Sequence, residues 1–225
     1  MMLEPGAAAL LAANGIGYVE HEVASTAAEA AEAAARIGYP VVLKVVSHDV
    51  VHKSDVGGVL TGLADADAVH RGFASLVDDV GARLPGARIE GVLVCRHVSQ
   101  GVEMIVGAIR DPTFGPTVML GAGGVFAELL GDVAFRLAPL ALGEALDMLR
   151  ELRVSKMLGG HRGSLPVDLD ALARVTMLLG DLMCANPDIA EADLNPVRAF
   201  PEGCVALDAR IILSTAAGSD ERHAE

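Results

Sequence analysis

The densest chemistry in the chain runs from Lys44 to Gly58. Lys44 follows Pro40-Val41-Val42-Leu43, a β-branched run that reads as a buried strand, and Val45-Val46 continue it. A lysine on an edge strand simply reaches out to solvent. One set among this many apolar neighbours lies inside a sheet, where an unpaired ammonium is costly and must face an anion. Beyond it comes a polar loop, Ser47-His48-Asp49-Val50-Val51-His52-Lys53-Ser54-Asp55-Val56, released by Gly57-Gly58. A strand that delivers a cation, followed by a mobile loop that carries a nucleophile, suits phosphoryl transfer.

His48 and His52 have the i, i+4 spacing of a helical zinc pair. The upstream run is strand-like and the residues between them are Asp-Val-Val, so the two rings need not share a face, and a zinc site is rejected. Two solvated loop histidines are the plainer alternative. A neutral imidazole is nonetheless a competent phosphoryl acceptor near pH 7, and His52 beside Lys53 and Asp55 is placed for that role. Gly121-Ala122-Gly123-Gly124 is either a simple turn or a nest of backbone N–H groups for phosphate. Near the end of the chain, Asn195 and Asp208 flank two strand candidates. If those strands pair, an amide oxygen and a carboxylate converge on one cation, as Mg²⁺ on a nucleotide requires. Read singly, each is solvated surface.

Composition narrows the partners. A net charge of -13 argues against nucleic acid and anionic membranes, so any phosphate-binding cation is a local exception. Cys95, Cys184 and Cys204 are odd in number and lack paired spacing, which points to thiols in a reducing cytosol rather than disulfides or zinc. Glu4, Pro5 and Glu20 flank the first apolar stretch, unlike a secretory signal. The longest uncharged run, 112–127, holds prolines and glycines that unfit it for a bilayer. The expectation is a cytoplasmic protein.

The elements that position these groups follow from periodicity. A short helix lies between Pro5 and Gly15, and a second begins at the capping-box spacing Thr26-Ala27-Ala28-Glu29 and ends at Gly38. Strands are expected at 41–46 and 59–63 and a helix at 67–84, with Val69, Phe73, Leu76, Val77 and Val80 on one face. Strands at 89–98 and 102–109 are separated by Ser99-Gln100-Gly101, a hairpin-like break. A strand at 117–120, helices at 143–153 and 169–185, and strands at 189–194 and 205–213 complete the chain. The smaller α/β lobe spans about 20–90 and the larger 91–213, with the first helix packed on the larger lobe and a disordered tail at 214–225.

Several ordered segments together resemble the nucleotide-binding β subunit of ADP-forming acyl-CoA synthetases, relatives of succinyl-CoA synthetase. They include Gly38-Tyr39-Pro40-Val41-Val42-Leu43-Lys44, His52-Lys53-Ser54-Asp55-Val56-Gly57-Gly58-Val59, Gly101-Val102-Glu103-Met104 and Arg110-Asp111-Pro112-Thr113-Phe114-Gly115-Pro116. Further along lie Gly121-Ala122-Gly123-Gly124-Val125-Phe126-Ala127-Glu128, Arg136-Leu137-Ala138-Pro139-Leu140, Arg162-Gly163, Asp193-Leu194-Asn195-Pro196 and Leu207-Asp208-Ala209-Arg210. The resemblance implies a single α+β ATP-grasp domain with ATP or ADP between two lobes. It implies that acyl-CoA, ADP and phosphate interconvert with acid, CoA and ATP through phosphohistidines, the first of them on a CoA-binding α subunit. By the same resemblance His52 is the second phosphohistidine, Asp193 its orienting acid, Lys44 the phosphate lysine, and Asn195 and Asp208 the Mg²⁺ ligands. Arg96, His97 and Val98 then form the adenine hinge, where Cys95-Arg96-His97 departs from the family's Gln-Glu-Met, and Glu103, Gly123 and Gly124 are further nucleotide contacts. The rival readings are an ATP-grasp module with a regulatory role and a non-catalytic adaptor.

Overall fold

Apolar side chains on both faces of residues 41–46 make a strand with two buried sides, and this strand, β2 (Val41–Val46), organises the smaller of two sheets. In the computed structural model, which describes residues 1–124, 131–160 and 166–214, that sheet is wholly antiparallel. Its order is β1 (His21–Ala24), β4 (Gly91–Arg96), β2 and β3 (Val59–Leu63). Val41, Leu43 and Val45 pack with Ile37, Leu76 and Val94 beneath α2 (Ala27–Ile37) and α3 (Ala66–Arg83). Val42 and Val46 belong to a different cluster, on the face turned towards the rest of the molecule, and the period of two puts Lys44 between them.

The larger sheet runs β10 (Arg210–Leu213), β8 (Ile189–Ala199), β5 (Val102–Asp111), β6 (Gly115–Ala122), β7 (Val133–Leu137), with β9 (Cys204–Ala206) also on β8. Helices α4 (Leu142–Glu151), α5 (Ser155–Leu158) and α6 (Leu169–Ala185) bury Met148, Leu149, Leu158, Leu172 and Leu179 against Met104 and Leu120 of the sheet. Each such side chain stabilises by roughly 1.5–3 kcal/mol, whereas an exposed ion pair such as Arg36–Glu22 is screened by solvent and adds little. The two cores therefore hold the fold. The first helix, α1 (Glu4–Ala13), adds Ala7 and Leu11 to the larger core, and Met2 N–H donates to Ile211 O at 2.8 Å.

Local chemistry sets the helix ends. Thr26 Oγ1 accepts from Glu29 N–H at 3.2 Å, while the Glu29 carboxylate accepts from Ser25 N–H at 2.7 Å. Asp65 and Asp168 cap α3 and α6 in the same way, accepting from Ala68 and Ala171 N–H.

Three expectations are corrected. Residues 91–96, assigned by sequence to the larger lobe, pair with β2 and β1 in the smaller sheet. The break at 99–101 is therefore a crossing between sheets and not a hairpin, because β5 pairs with β6 and β8 instead of β4. The closing strand at 205–213 is two strands, interrupted at Leu207-Asp208-Ala209. The tail expected from 214 onward lies, beyond Ser214, outside the described residues.

The sheets meet through Val19, Val46, Leu93 and Cys95, packed against Leu3, Tyr18, Val98, Val205 and Leu207. Backbone bonds fasten the same seam: Val19 N–H to Ala206 O at 2.9 Å and Ala206 N–H to Gly17 O at 3.0 Å. The crossing ends at Gly101, whose φ is +96° and where a Cβ would stand 2.6 Å from Ala199 O. Both conformation and space demand glycine there. Gly101→Ala is expected to destabilise the protein by about 2–3 kcal/mol, read as a lower midpoint in urea unfolding. An unchanged midpoint would show that the crossing tolerates a side chain.

Candidate functional site

The interruption between β9 and β10 builds the site. β9 pairs with residues 197–199 of β8 and β10 with residues 189–193, so the edge of β8 at Asn195-Pro196 has no strand partner. The connector fills that gap, with Leu207 N–H donating to Pro196 O at 2.9 Å, and this sets Asp208 beside Asn195. A cleft of about 320 Å³ opens there, lined by His52, Lys53, Ser54, Asp193, Asn195 and Asp208 together with residues 1–4. Sequence motifs far apart in the chain thus share one cavity.

Behind its wall lies a buried set of charges. Lys44 Nζ donates to Glu4 Oε1 at 2.7 Å and to Leu207 O at 2.6 Å, and stands 3.4 Å from Asp208 Oδ2. Lys53 Nζ lies 3.0 Å from Glu4 Oε2 and 3.1 Å from Asp208 Oδ1. Tyr18 donates its hydroxyl to Glu4 Oε1. Two ammonium groups and two carboxylates balance, which makes the burial tolerable. Glu4 was not singled out from sequence. Its side chain is only 3% exposed, and an acid at the start of an Ala-rich helix is indistinguishable by pattern from an ordinary dipole partner.

Burial alone would push the Glu4 carboxyl up, but the ammonium groups of Lys44 and Lys53 outweigh it and hold the group below the ordinary glutamate range. Burial likewise opposes the charge on Lys44, and the carboxylates of Glu4 and Asp208 reverse that and raise it. At Asp208 burial wins, reinforced by Glu4, and the pKa is raised despite both lysines. Asp193 is raised too, by burial first and then by Glu191 and Asp208, with Arg210 opposing. Carboxylates whose charge burial and neighbouring acids disfavour, beside an amide oxygen, are a donor set a hard cation can use.

His52 is exposed, and among the described residues no hydrogen bond engages its ring. It shares the cleft with Asp193 without bonding to it. The other candidates lie outside this cavity. Arg96 is exposed and its guanidinium meets Glu20, while the backbone N–H groups of Arg96 and His97 are engaged by Glu20 O and Pro40 O. Val98 packs in the seam between the sheets. Glu103 pairs with Arg198 at 2.7 Å, and its carbonyl accepts from Gly123 N–H at 2.8 Å. A Cβ on Gly123 would meet that backbone at 2.8 Å, so Gly123-Gly124 pack directly on Glu103. Residues 125–128 and Arg162-Gly163 lie outside the described residues.

A second groove, of about 380 Å³, runs over the larger sheet past Gly107, Met119 and Phe135 and shares Asp193 and Asn195 with the cleft. Cys95, Cys184 and Cys204 are unpaired. No helix among the described residues is long and apolar enough to cross a membrane.

Comparison with known proteins gives this geometry a context. Residues 1–213 match the family model described as an ATP-grasp domain. Acetate–CoA ligase [ADP-forming] I subunit beta of Pyrococcus furiosus is 42% identical over 212 residues, covering 94% of this chain and 91% of that protein. Acetate–CoA ligase [ADP-forming] I of Archaeoglobus fulgidus is 47% identical over 204 residues, covering 91% of this chain but 30% of the relative, so the chain spans about a third of that longer protein. Acetyl-coenzyme A synthetase 1 of Ca. Korarchaeum cryptofilum, solved with coenzyme A and Ca-AMPCP, superposes with a TM-score of 0.92 at 45% identity, over 95% of this chain and 93% of that one. The same protein was also solved with Mg-AMPPCP and its phosphohistidine segment pointing towards the nucleotide-binding site, with a TM-score of 0.82.

Glu4→Gln keeps the shape and removes the charge. It is expected to cost about 3 kcal/mol at neutral pH, the scale of breaking a buried ion pair, whereas Glu22→Gln should cost less than about 1 kcal/mol. Because the Glu4 pKa is lowered by folding, its contribution is fully present above the ordinary glutamate range and is lost as pH falls below that range and through the lowered folded-state value. The gap between parent and variant should therefore shrink in acid. A Glu4→Gln midpoint matching that of the parent at pH 7 would contradict the pairing.

Proposed function

The chain belongs to the ATP-grasp family, in the branch of ADP-forming acid–CoA ligases, and we propose that it is the nucleotide-binding subunit of such a ligase, working with a CoA-binding partner. The observation that carries this reading is the convergence of His52, Asp193, Asn195 and Asp208 on one cleft backed by Lys44 and Lys53. In this reading acyl-CoA, ADP and phosphate interconvert with acid, CoA and ATP. The unpaired thiols suit a reducing cytoplasm.

The chemistry follows from the groups present. An unprotonated ring nitrogen of His52 attacks the phosphorus of a phosphohistidine on the partner. A P–N bond forms on His52 as the partner's P–N bond breaks and its imidazole regains a proton. A terminal oxygen of ADP then attacks the same phosphorus, the His52 P–N bond breaks, the departing imidazole takes a proton from water in the open cleft, and ATP is released. Asp193, raised by burial, orients the ring from within the cleft. Lys44 and Lys53 neutralise the phosphate oxygens, and little bond-making is left for the protein beyond positioning.

Asp208 and Asn195 would hold Mg²⁺, whose bound charge further neutralises the nucleotide phosphates. The shared groove over the larger sheet gives a partner's segment a route to Asp193 that does not cross Lys44. Arg96, His97 and Val98 take the adenine edge, and Glu103 with Gly123-Gly124 borders the nucleotide from the larger lobe.

With the CoA-binding partner and radiolabelled ATP, His52 is expected to acquire an acid-labile phosphate, detected by mass spectrometry in alkali. His52→Ala should lose labelling and turnover by at least about a thousand-fold, the scale of losing a covalent nucleophile. Its affinity for ADP should stay within about two-fold, because the exposed ring makes no contact that holds the cleft. Full turnover by His52→Ala would remove His52 from the relay.

A further inference from the structure

The segment that carries His52 has an anchor that the relay itself does not require. Its far end is closed by backbone: Gly58 N–H donates to Lys53 O at 2.7 Å, and Val45 N–H to Gly58 O at 2.8 Å. Its near end is held by His48 Nδ1, 3.2 Å from Met1 O, by Asp49 Oδ2, which accepts from Arg88 N–H at 2.9 Å, and by Val50, buried in the core of the smaller lobe. Between them the His52 ring is exposed and makes no hydrogen bond among the described residues, while its carbonyl accepts from Asp55 N–H at 3.3 Å and its immediate neighbour Lys53 reaches across to Glu4 and Asp208. Val50 and Val56 pack the segment on its own lobe, and Lys53 is the side chain that ties it across the cleft to Glu4 and Asp208.

We propose that Lys53 is a positioning residue that fastens the His52 segment to Asp208 and Glu4, and that it yields Asp208 when a divalent cation is bound there, freeing the segment to move. The first half stands on geometry alone, and the second rests on the reading of Asp208 as a metal ligand.

Charge counting shows which group must leave. The four side chains sum to zero without a metal, since two ammonium groups face two carboxylates. A divalent cation on Asp208 leaves four positive charges against two negative in a confined volume. Lys44 cannot withdraw: it is the central residue of a sheet strand, its side chain is 8% exposed, and Leu207 O and Glu4 both hold it. Lys53 sits on a loop that continues into a single 3₁₀ turn (Ser54–Val56), its side chain is 18% exposed, and it opens directly onto the cleft. The cation with the looser seat is also the one bonded to the moving segment. Metal arrival and loop release become one event.

This requires a competition that can be read without turnover. Hydrogen exchange of the peptide covering 47–58, in the isolated chain, should rise several-fold on adding Mn²⁺. In Lys53→Met, which keeps length and loses charge, exchange should already be high without metal and respond no further. Lys53→Met should also bind Mn²⁺ on the order of ten-fold more tightly by electron paramagnetic resonance, the scale of one charge-assisted contact removed from Asp208. Lys53→Arg, able to bridge both carboxylates, should restore the parent behaviour on both counts, and thermal melting checks that each variant is folded.

Metal-free exchange unchanged in Lys53→Met would overturn the anchoring. Mn²⁺ binding with no change in exchange of the parent would overturn the release. Failure of the parent to bind Mn²⁺ would overturn the release and the metal reading together, while leaving the anchoring to its own metal-free result. None of these readouts depends on whether the ligase reaction itself is confirmed.

Discussion

Four charged side chains meeting at one point, Glu4 and Lys44 buried and Lys53 and Asp208 partly exposed to the cleft, are the constraint on which the site depends. Glu4 comes from the first helix, Lys44 from a central strand of the smaller sheet, Lys53 from the loop beside it, and Asp208 from the connector at the edge of the larger sheet. Removing Glu4 or Lys44 leaves the other as an uncompensated charge in a medium that solvates it poorly. The set therefore ties both sheets and the N-terminal helix to one point. In the proposed reading it also keeps two ammonium groups in reach of an incoming polyphosphate. A neutral, self-satisfied cluster of this kind can still exchange partners, because a phosphate can take a carboxylate's place at an ammonium and a metal can take an ammonium's place at a carboxylate.

The sheets exist to bring that point together. Strand β2 turns its odd-numbered side chains to the helices and its even-numbered ones, Lys44 among them, to the seam. On the other side, the split between β9 and β10 leaves the edge of β8 open at Asn195 and lets Asp208 approach. A continuous closing strand would have put the Asp208 backbone into the ladder and denied the cleft one of its acids. The interruption that looks like a defect in the sheet is what forms the site.

Much of this was legible in the sequence. Helices α1, α2, α3, α4 and α6 and strands β2 and β3 follow from periodicity and caps, because their buried faces recur at regular intervals. The family and fold were legible from the ordered motifs around Lys44, His52 and Asp193. What failed was long-range pairing. The crossing at 99–101 has the glycine and polar residues of a hairpin, and nothing local says that β4 turns back to β2 while β5 pairs with β8. The strand β1, four residues with only Ala24 buried, carries too weak an alternation to be seen. Local motifs also brought His52, Asn195 and Asp208 forward as candidates, the family resemblance added Asp193, and the structure gathers the four around one cleft. Glu4 was missed because its partner Lys44 lies far along the chain, and an acid near a helix start has an ordinary local explanation. Burial and charge balance identify it, and both are properties of the folded molecule.

The central claim is that this cluster gives way to a metal-bound nucleotide at the junction of the two sheets. A crystal structure of the chain with Mn²⁺ and a non-hydrolysable ATP analogue tests it most directly, through the anomalous signal of the metal. The account predicts a peak within coordination distance of Asp208 and Asn195 and of the analogue's phosphate oxygens, with the Lys44 ammonium in hydrogen-bond reach of those oxygens. A nucleotide bound away from Lys44, or a metal that touches neither Asp208 nor Asn195, would contradict it.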